Sequence, residues 1–151
     1  MKRSVSVALC LLALVACGPS AQPAHVVGTV TYQVSGGFTG WDRTLIVDQD
    51  GTAHLKFGSG PTPAVSPVQV DAPTLRRLHE LVAGDDFASL GHAYLPPPGG
   101  ADLQDYVVTA EVDGRQRLTM TRDGAQRPQI LQDVMQILNA ILVLATSGAA
   151  A

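Results

Sequence analysis

Apolar β-branched residues in the first part of the chain form short runs separated by polar and glycine-rich segments. The first run ends at residues 35–41, which hold three glycines. Two further runs, residues 44–48 and 52–57, flank Asp50-Gly51, a dipeptide that strongly indicates a hairpin turn. The pattern predicts one strand followed by a β-hairpin. The apolar residues of that first strand are Val26, Val27, Val30, Tyr32 and Val34.

A second pair of strand-like runs lies in the C-terminal half. Residues 106–112 and 116–122 flank Asp113-Gly114, which predicts a second hairpin. Residues 95–100 precede it and contain three successive prolines, which remove three backbone donors. This proline-rich segment is therefore expected to be a loop.

Two segments have the apolar spacing of helices. Asp71 and Pro73 mark the start of the first segment, and its helical spacing of apolar residues ends at Gly84. A helix is therefore predicted over residues 73–83. Its apolar face consists of Leu75, Leu78, Leu81 and Val82.

The second helix is predicted over residues 128–145, opening at Pro128. Its C-terminal half is almost wholly apolar, but this part contains Asn139 and is only about half as long as a membrane span requires. The segment therefore indicates a core helix. Its apolar stripe consists of Ile130, Val134, Ile137, Leu138, Ile141 and Leu142.

Two hairpins interleaved with two helices predict an α+β fold. We expect an antiparallel sheet of about four or five strands built from hairpins, with the two main helices packed on one face. The pattern predicts a single domain over residues 26–146 and a disordered tail over residues 147–151.

The N-terminus resembles the lipobox of bacterial lipoproteins. Lys2 and Arg3 precede an apolar core, and residues 14–17 read Leu-Val-Ala-Cys. Residues 1–16 are therefore predicted to be a lipoprotein signal peptide, after which Cys17 would carry the lipid. The alternative is an ordinary secretory signal that is cut elsewhere.

The resemblance to a lipobox implies an exported protein, lipid-anchored to the cell envelope on its periplasmic or outer surface. Several acyl chains on Cys17 would hold it permanently in a membrane. The small residues and two prolines that follow predict a flexible tether over residues 17–25.

Removal of the signal peptide makes the chain more acidic. The mature chain would keep 8 of the 10 basic residues against 13 acidic ones, for a formal charge of −5. A chain with this charge lacks the positive surface potential that attracts the phosphates of a nucleic acid, so we expect no nucleic-acid partner. Cys17 would be its only cysteine, which argues against disulfides, thiolate metal sites and a cysteine nucleophile.

The sequence offers no strong catalytic or metal-binding motif. Residues 48–51 begin like a calcium loop, but the sixth and twelfth places hold Ala53 and Ser59 where glycine and glutamate are needed. The four histidines never recur at the helical spacing of a zinc pair. We therefore expect no enzyme activity, no catalytic residue, no cofactor and no metal.

The best candidate for a partner-binding site is the glycine-rich segment. Its glycines allow unusual backbone conformations, and its two aromatic residues offer a large contact area. The alternative is a turn whose aromatic rings seal one end of the core. The candidate residues are Ser35, Gly36, Gly37, Phe38, Thr39, Gly40 and Trp41.

A set of short motifs, in order, resembles the emfourin family over about residues 32–145. The first is the glycine-rich segment, and the last is a closing leucine-rich helix. Between them lie Leu45-Ile46-Val47-Asp48; Leu75, Leu78 and Leu81; Asp86-Phe87 with Leu90; Pro98-Gly99-Gly100-Ala101-Asp102 with Tyr106; and Asp113-Gly114-Arg115.

The resemblance implies an inhibitor of protealysin and related thermolysin-like zinc metallopeptidases, which would act by steric occlusion of the active-site cleft. The chain departs from the family by its lipobox, its tether and its longer loop at residues 58–67. The alternative function is an envelope lipoprotein with a binding or structural role and no protease partner.

Overall fold

The computed structural model describes residues 25–38, 42–58 and 66–147. The predicted signal peptide and most of the tether, including Cys17, lie outside the described residues. So do residues 39–41 of the glycine-rich segment, most of the loop over 58–67, and residues 148–151 of the predicted tail.

The described residues form one mixed seven-stranded sheet and three helices. The sheet order is β4-β3-β2-β1-β6-β7-β5. The strands are β1 (Val27–Gly36), β2 (Arg43–Val47), β3 (Thr52–Phe57), β4 (Val68–Gln69), β5 (Ala93–Tyr94), β6 (Gln104–Val112) and β7 (Arg115–Arg122). The helices are α1 (Ala72–Ala83), α2 (Asp85–Ala88) and α3 (Gln129–Ser147).

The α+β class is confirmed, but the predicted antiparallel sheet of four or five strands is wrong in detail. β4 and β5 add one short strand at each edge, and β5 runs parallel to β7. Each of these strands has only two residues, too few to produce a recognisable period in the sequence.

Both predicted hairpins form at their expected turns. In the first, Gly51 has φ of 86°, and the amide of Asp48 donates to the carbonyl of Thr52 at 2.9 Å. In the second, Asp113 and Gly114 have φ of 52° and 70°. Positive φ at both central residues is the type I′ geometry, which matches the twist of the adjoining strands.

α1 and α3 cover one face of the sheet and close a single core. The Asp71 carboxylate caps α1 by accepting from the amide of Thr74 at 3.0 Å. α3 is long and apolar enough to span a membrane by length and composition alone, but its buried stripe packs in the core of the domain. That stripe consists of Leu131, Val134, Met135, Leu138, Ile141, Leu142 and Ala145.

The sheet has two distinct ends. Because β1 pairs antiparallel with both β2 and β6, its C-terminal residue Gly36 lies beside Gln104. We call this the loop end. At the other end, which we call the hairpin end, Val27 lies opposite Val112, next to the Asp113-Gly114 turn.

Candidate functional site

The Phe38 loop, residues 35–38, leaves β1 at the loop end in a conformation that requires glycine. Gly36 and Gly37 have φ of 88° and 73°, a region that L-residues rarely adopt. A Cβ on Gly36 would lie 2.9 Å from the carbonyl oxygen of Leu103. The amide of Gly37 donates to the same oxygen at 3.2 Å. The two glycines therefore allow the backbone to approach residue 103 closely and to be held there.

The side chain of Phe38 points into solvent, with 89% of its surface exposed. A ring this exposed buries little apolar area, so it does not seal the core as the alternative interpretation of the segment required. Ser35, the next-to-last residue of β1, is half-buried, whereas Thr39, Gly40 and Trp41 lie outside the described residues. The described part of the candidate site thus presents one large apolar side chain.

The proline loop, residues 95–103, lies directly beside the Phe38 loop. Gly99, Gly100 and Asp102 all have positive φ, and Leu95 is 56% exposed. The sequence marked these two loops separately as glycine-rich and proline-rich. The structure brings them together, because the hydrogen bond to Leu103 joins the Phe38 loop to the C-terminal end of the proline loop.

The Asp123 turn, residues 123–127, begins with a carboxylate that holds the start of β6, directly after the proline loop. Asp123 accepts from the amide of Gln104 at 2.9 Å and from the hydroxyl of Tyr106 at 2.9 Å. Its own amide donates to the carbonyl of Gln104 at 3.0 Å. Arg127 completes the cluster with its guanidinium 5.2 Å from the centre of the Tyr106 ring and 3.8 Å from Asp123.

The aromatic rings of this cluster are rigidly placed. Tyr106 stacks on Tyr32 with ring centres 6.3 Å apart and ring planes 12° apart. The hydroxyl of Tyr32 donates to Asn139 of α3 at 3.1 Å. Burial, followed by the hydrogen bond to Asp123, raises the pKa of Tyr106 to about 12, so its hydroxyl stays protonated and donates.

Sequence reasoning missed this cluster. Tyr106 was placed in a predicted strand and in one of the short motifs, and Asp123 was given no role; their contact joins residues 17 positions apart. Asp123-Gly124 could have signalled a turn with a capping carboxylate. Nothing in the sequence pattern indicated that this carboxylate would support two other loops.

The loop end is also tied across the sheet by an ion pair. Arg122 of β7 donates to both carboxylate oxygens of Asp105 in β6, at 2.7 and 3.0 Å. This bidentate pairing with Arg122 lowers the pKa of Asp105 below its usual range. The strands that carry the loops are thereby joined by charged side chains as well as by the backbone ladder.

No three His, Cys, Asp or Glu side chains come together to hold a metal ion within the part of the chain that the structure describes. The calcium-like segment forms the first hairpin turn, where the Asp50 carboxylate accepts from the amide of Thr52 at 2.9 Å. His54 and Asp48 lie 3.1 Å apart on the surface as an isolated pair.

An open cleft of about 500 Å³ lies beside the Asp123 turn. Its lining consists of Ala125, Gln126, Arg127 and Gln132. The cleft is mainly polar, and it is shallow compared with the cavities that bind small ligands.

No model of a known protein family matches this chain, and no curated protein matches it either. The likeness to emfourins therefore remains a resemblance of short motifs in a particular order.

Proposed function

We propose that this protein is an exported lipoprotein whose domain inhibits a thermolysin-like zinc metallopeptidase by occupying its active-site cleft. The observation that carries the proposal is the exposure of Phe38 on a loop held by backbone hydrogen bonding. A projecting apolar anchor on a preorganised loop is suited to enter a cleft, because little conformational entropy is lost on binding.

The proposed mechanism is steric. Thermolysin-like peptidases hold zinc with two histidines and a carboxylate, and a water molecule takes the remaining position. The Phe38 loop would place its ring in a substrate subsite, and the neighbouring proline loop would widen the contact. Substrate would be excluded while the zinc stays with the peptidase. The inhibitor needs no metal of its own in this mechanism.

The fold suits presentation from a membrane anchor. The described chain starts at the hairpin end, where His25 lies 2.6 Å from Asp113 and the amide of Val26 donates to the same carboxylate. Ten-residue β1 then runs to the Phe38 loop, a length of roughly 33 Å. An anchor at Cys17 would therefore be attached at the hairpin end, and the Phe38 loop lies at the opposite end of β1.

The alternative is an envelope lipoprotein with a binding or structural role and no protease partner. Exposed apolar side chains away from the Phe38 loop favour it. Leu118 on β7 is 49% exposed, and Val143 and Leu144 near the end of α3 are 64% and 58% exposed. Such residues can contact other proteins without any role for the Phe38 loop.

Titration of residues 25–151 into assays of several thermolysin-like peptidases tests the proposal. We expect competitive inhibition, with loss of peptide hydrolysis as the inhibitor fills the cleft. The zinc content of the peptidase should be unchanged after its complex is isolated. Absence of inhibition across these peptidases would favour the alternative, and loss of zinc would contradict the steric mechanism.

A further inference from the structure

The outer edge of β7 is open over part of its length. Val112 lies opposite Arg115 across the tight turn, so the amides of alternate residues from Arg115 onward face β6. The amides of Gln116, Leu118 and Met120 must then face outward. Met120 confirms this direction, because its amide donates to the carbonyl of His92 at 2.9 Å.

The short strand β5 covers only the end of this edge. It pairs with Met120 and Thr121, and the chain before it stays in contact as far as Gly91, whose carbonyl accepts from the hydroxyl of Thr119 at 2.9 Å. Within the described residues, the outward backbone groups of Gln116 and Leu118 have no backbone hydrogen-bond partner. Unpaired donors and acceptors on a strand edge are a template for an added strand.

A cleft runs along this open edge and separates it from α2. Its volume is about 250 Å³, enough for a few side chains. Its apolar wall consists of Phe87, Ala88 and Leu90, with the exposed Leu118 across from it. His92 closes the end of the cleft next to β5. The lining therefore combines a free backbone edge with a recess that is apolar on one side and polar on the other.

The charges along β7 indicate what could occupy the cleft. The strand carries Arg115, Arg117 and Arg122 and no acidic residue. Arg122 is paired with Asp105, and Arg117 donates to the carbonyl of Val82 at 3.2 Å. Arg115 is exposed and forms no ion pair with any residue that the structure describes.

Charge complementarity disfavours a second copy of this chain. Antiparallel pairing of two β7 edges with Gln116 of one strand opposite Leu118 of the other, the register that joins the two unpaired residues of each edge, would place the two Arg117 side chains opposite each other, which is destabilising. An acidic strand would instead place carboxylates near Arg115. It would gain two backbone hydrogen bonds at Leu118 and could insert an apolar side chain beside Phe87.

We propose that the β7 edge between Arg115 and Thr119 binds a short, extended, acidic peptide segment of a partner protein by strand addition. The occupant pairs with the backbone of Leu118, and His92 limits the paired stretch to a few residues. This surface is separate from the Phe38 loop, so it does not depend on peptidase inhibition.

The test uses two synthetic probes and the purified full chain. The acidic probe is acetyl-Glu-Glu-Val-Val-Val-Glu-Glu-amide, and the basic control is its lysine counterpart. Amide hydrogen exchange is followed by NMR at single residues. The acidic probe should slow exchange at Leu118 about tenfold when present at about ten times its Kd. Arg117, whose amide faces β6, should not respond.

Two variants sharpen the test. Leu118→Pro removes the outward donor without removing a hydrogen bond to β6, and it should abolish binding of the acidic probe. Arg115→Glu, on an exposed residue beside the turn, keeps the backbone and should reverse the preference between the probes. Arg76→Glu, an exposed arginine on α1, is the matched control and should behave as the unmodified chain does.

Three results would overturn the proposal. The first is an unchanged exchange rate at Leu118 with the acidic probe. The second is an unaltered probe preference in a folded Arg115→Glu variant. The third is protection of Leu118 that rises with protein concentration without any peptide, since this would mean that a second copy occupies the edge.

Discussion

The two ends of the sheet are built in different ways. At the hairpin end, a three-residue turn over residues 49–51 and a two-residue turn at Asp113-Gly114 close the strands with little projecting surface. At the loop end, longer segments project beyond the strands, and Phe38 stands in solvent. The loops there are held by contacts between distant residues, above all those of Asp123. Local turn chemistry thus sets the backbone conformation of the two hairpin turns, whereas contacts between distant residues hold the Phe38 loop, at the end where we propose that a partner binds.

The largest expected effect lies in the core that both ends share. Leu138 is fully buried in α3, so Leu138→Ala should lower the free energy of unfolding by about 2 to 5 kcal/mol. Leu144→Ala is the matched control, because the same truncation on the same helix affects a side chain that is 58% exposed. Chemical denaturation measures both, and equal losses would show that the buried stripe of α3 is misplaced.

The glycines at the two ends should respond differently to the same substitution. Gly114→Ala at the hairpin end meets no atom within 4 Å, so only its positive φ opposes the change, at about 1 to 2 kcal/mol. Gly36→Ala also places its Cβ 2.9 Å from the carbonyl oxygen of Leu103, so we expect a greater loss of stability. It should also displace the Phe38 loop and weaken inhibition.

Melting temperatures and inhibition constants of the two glycine variants test this contrast. Gly114→Ala should leave the inhibition constant unchanged, because its turn lies at the opposite end of β1. If Gly36→Ala has the smaller effect on both measurements, the close approach of the Phe38 loop to residue 103 is not important for the site.

A smaller effect concerns pH at the loop end. The bond to Arg122 lowers the pKa of Asp105 in the folded protein, so the ionised form is favoured there. Its stabilising contribution is therefore present above the ordinary carboxyl pKa of about 3.9 and is lost as the pH falls through the lower, folded value. Because both side chains of the pair are partly exposed to solvent, which weakens their attraction, this contribution should be small.

The comparison of Asp105→Asn with the unmodified chain isolates that contribution. The variant should be less stable at neutral pH, and the difference should shrink as the pH falls below about 4. Denaturation curves at several pH values provide the measurement. A difference that stays constant with pH would mean that the ionised pair does not stabilise the loop end.

Much of the fold could be predicted because its signals are local. The hairpins follow from Asp-Gly dipeptides between β-rich runs, and α1 and α3 follow from apolar stripes bounded by Asp71, Gly84 and Pro128. The short elements β4, β5 and α2 were missed because they have only two to four residues. Such elements form through tertiary contacts that leave no period in the sequence.

The candidate site was only partly predictable for a similar reason. The glycines of the Phe38 loop could be recognised in the sequence. The direction of the Phe38 ring could not, because it depends on the contacts of Gly36 and Gly37 with the carbonyl of Leu103. The support from Asp123 and Tyr106 depends on strand register. Neither relation between distant residues has a signature in a single sequence.

The inhibition constant and melting temperature of Phe38→Ala test the central claim most directly. Burial of this ring in a protease subsite should contribute about 1.5 to 3 kcal/mol. Its removal should therefore weaken inhibition about ten- to a hundredfold or somewhat more. Because the ring is exposed, the melting temperature should not change, and Val143→Ala, at an exposed position on α3, should change neither quantity. An unchanged inhibition constant for Phe38→Ala, or a loss of stability without loss of inhibition, would contradict the account.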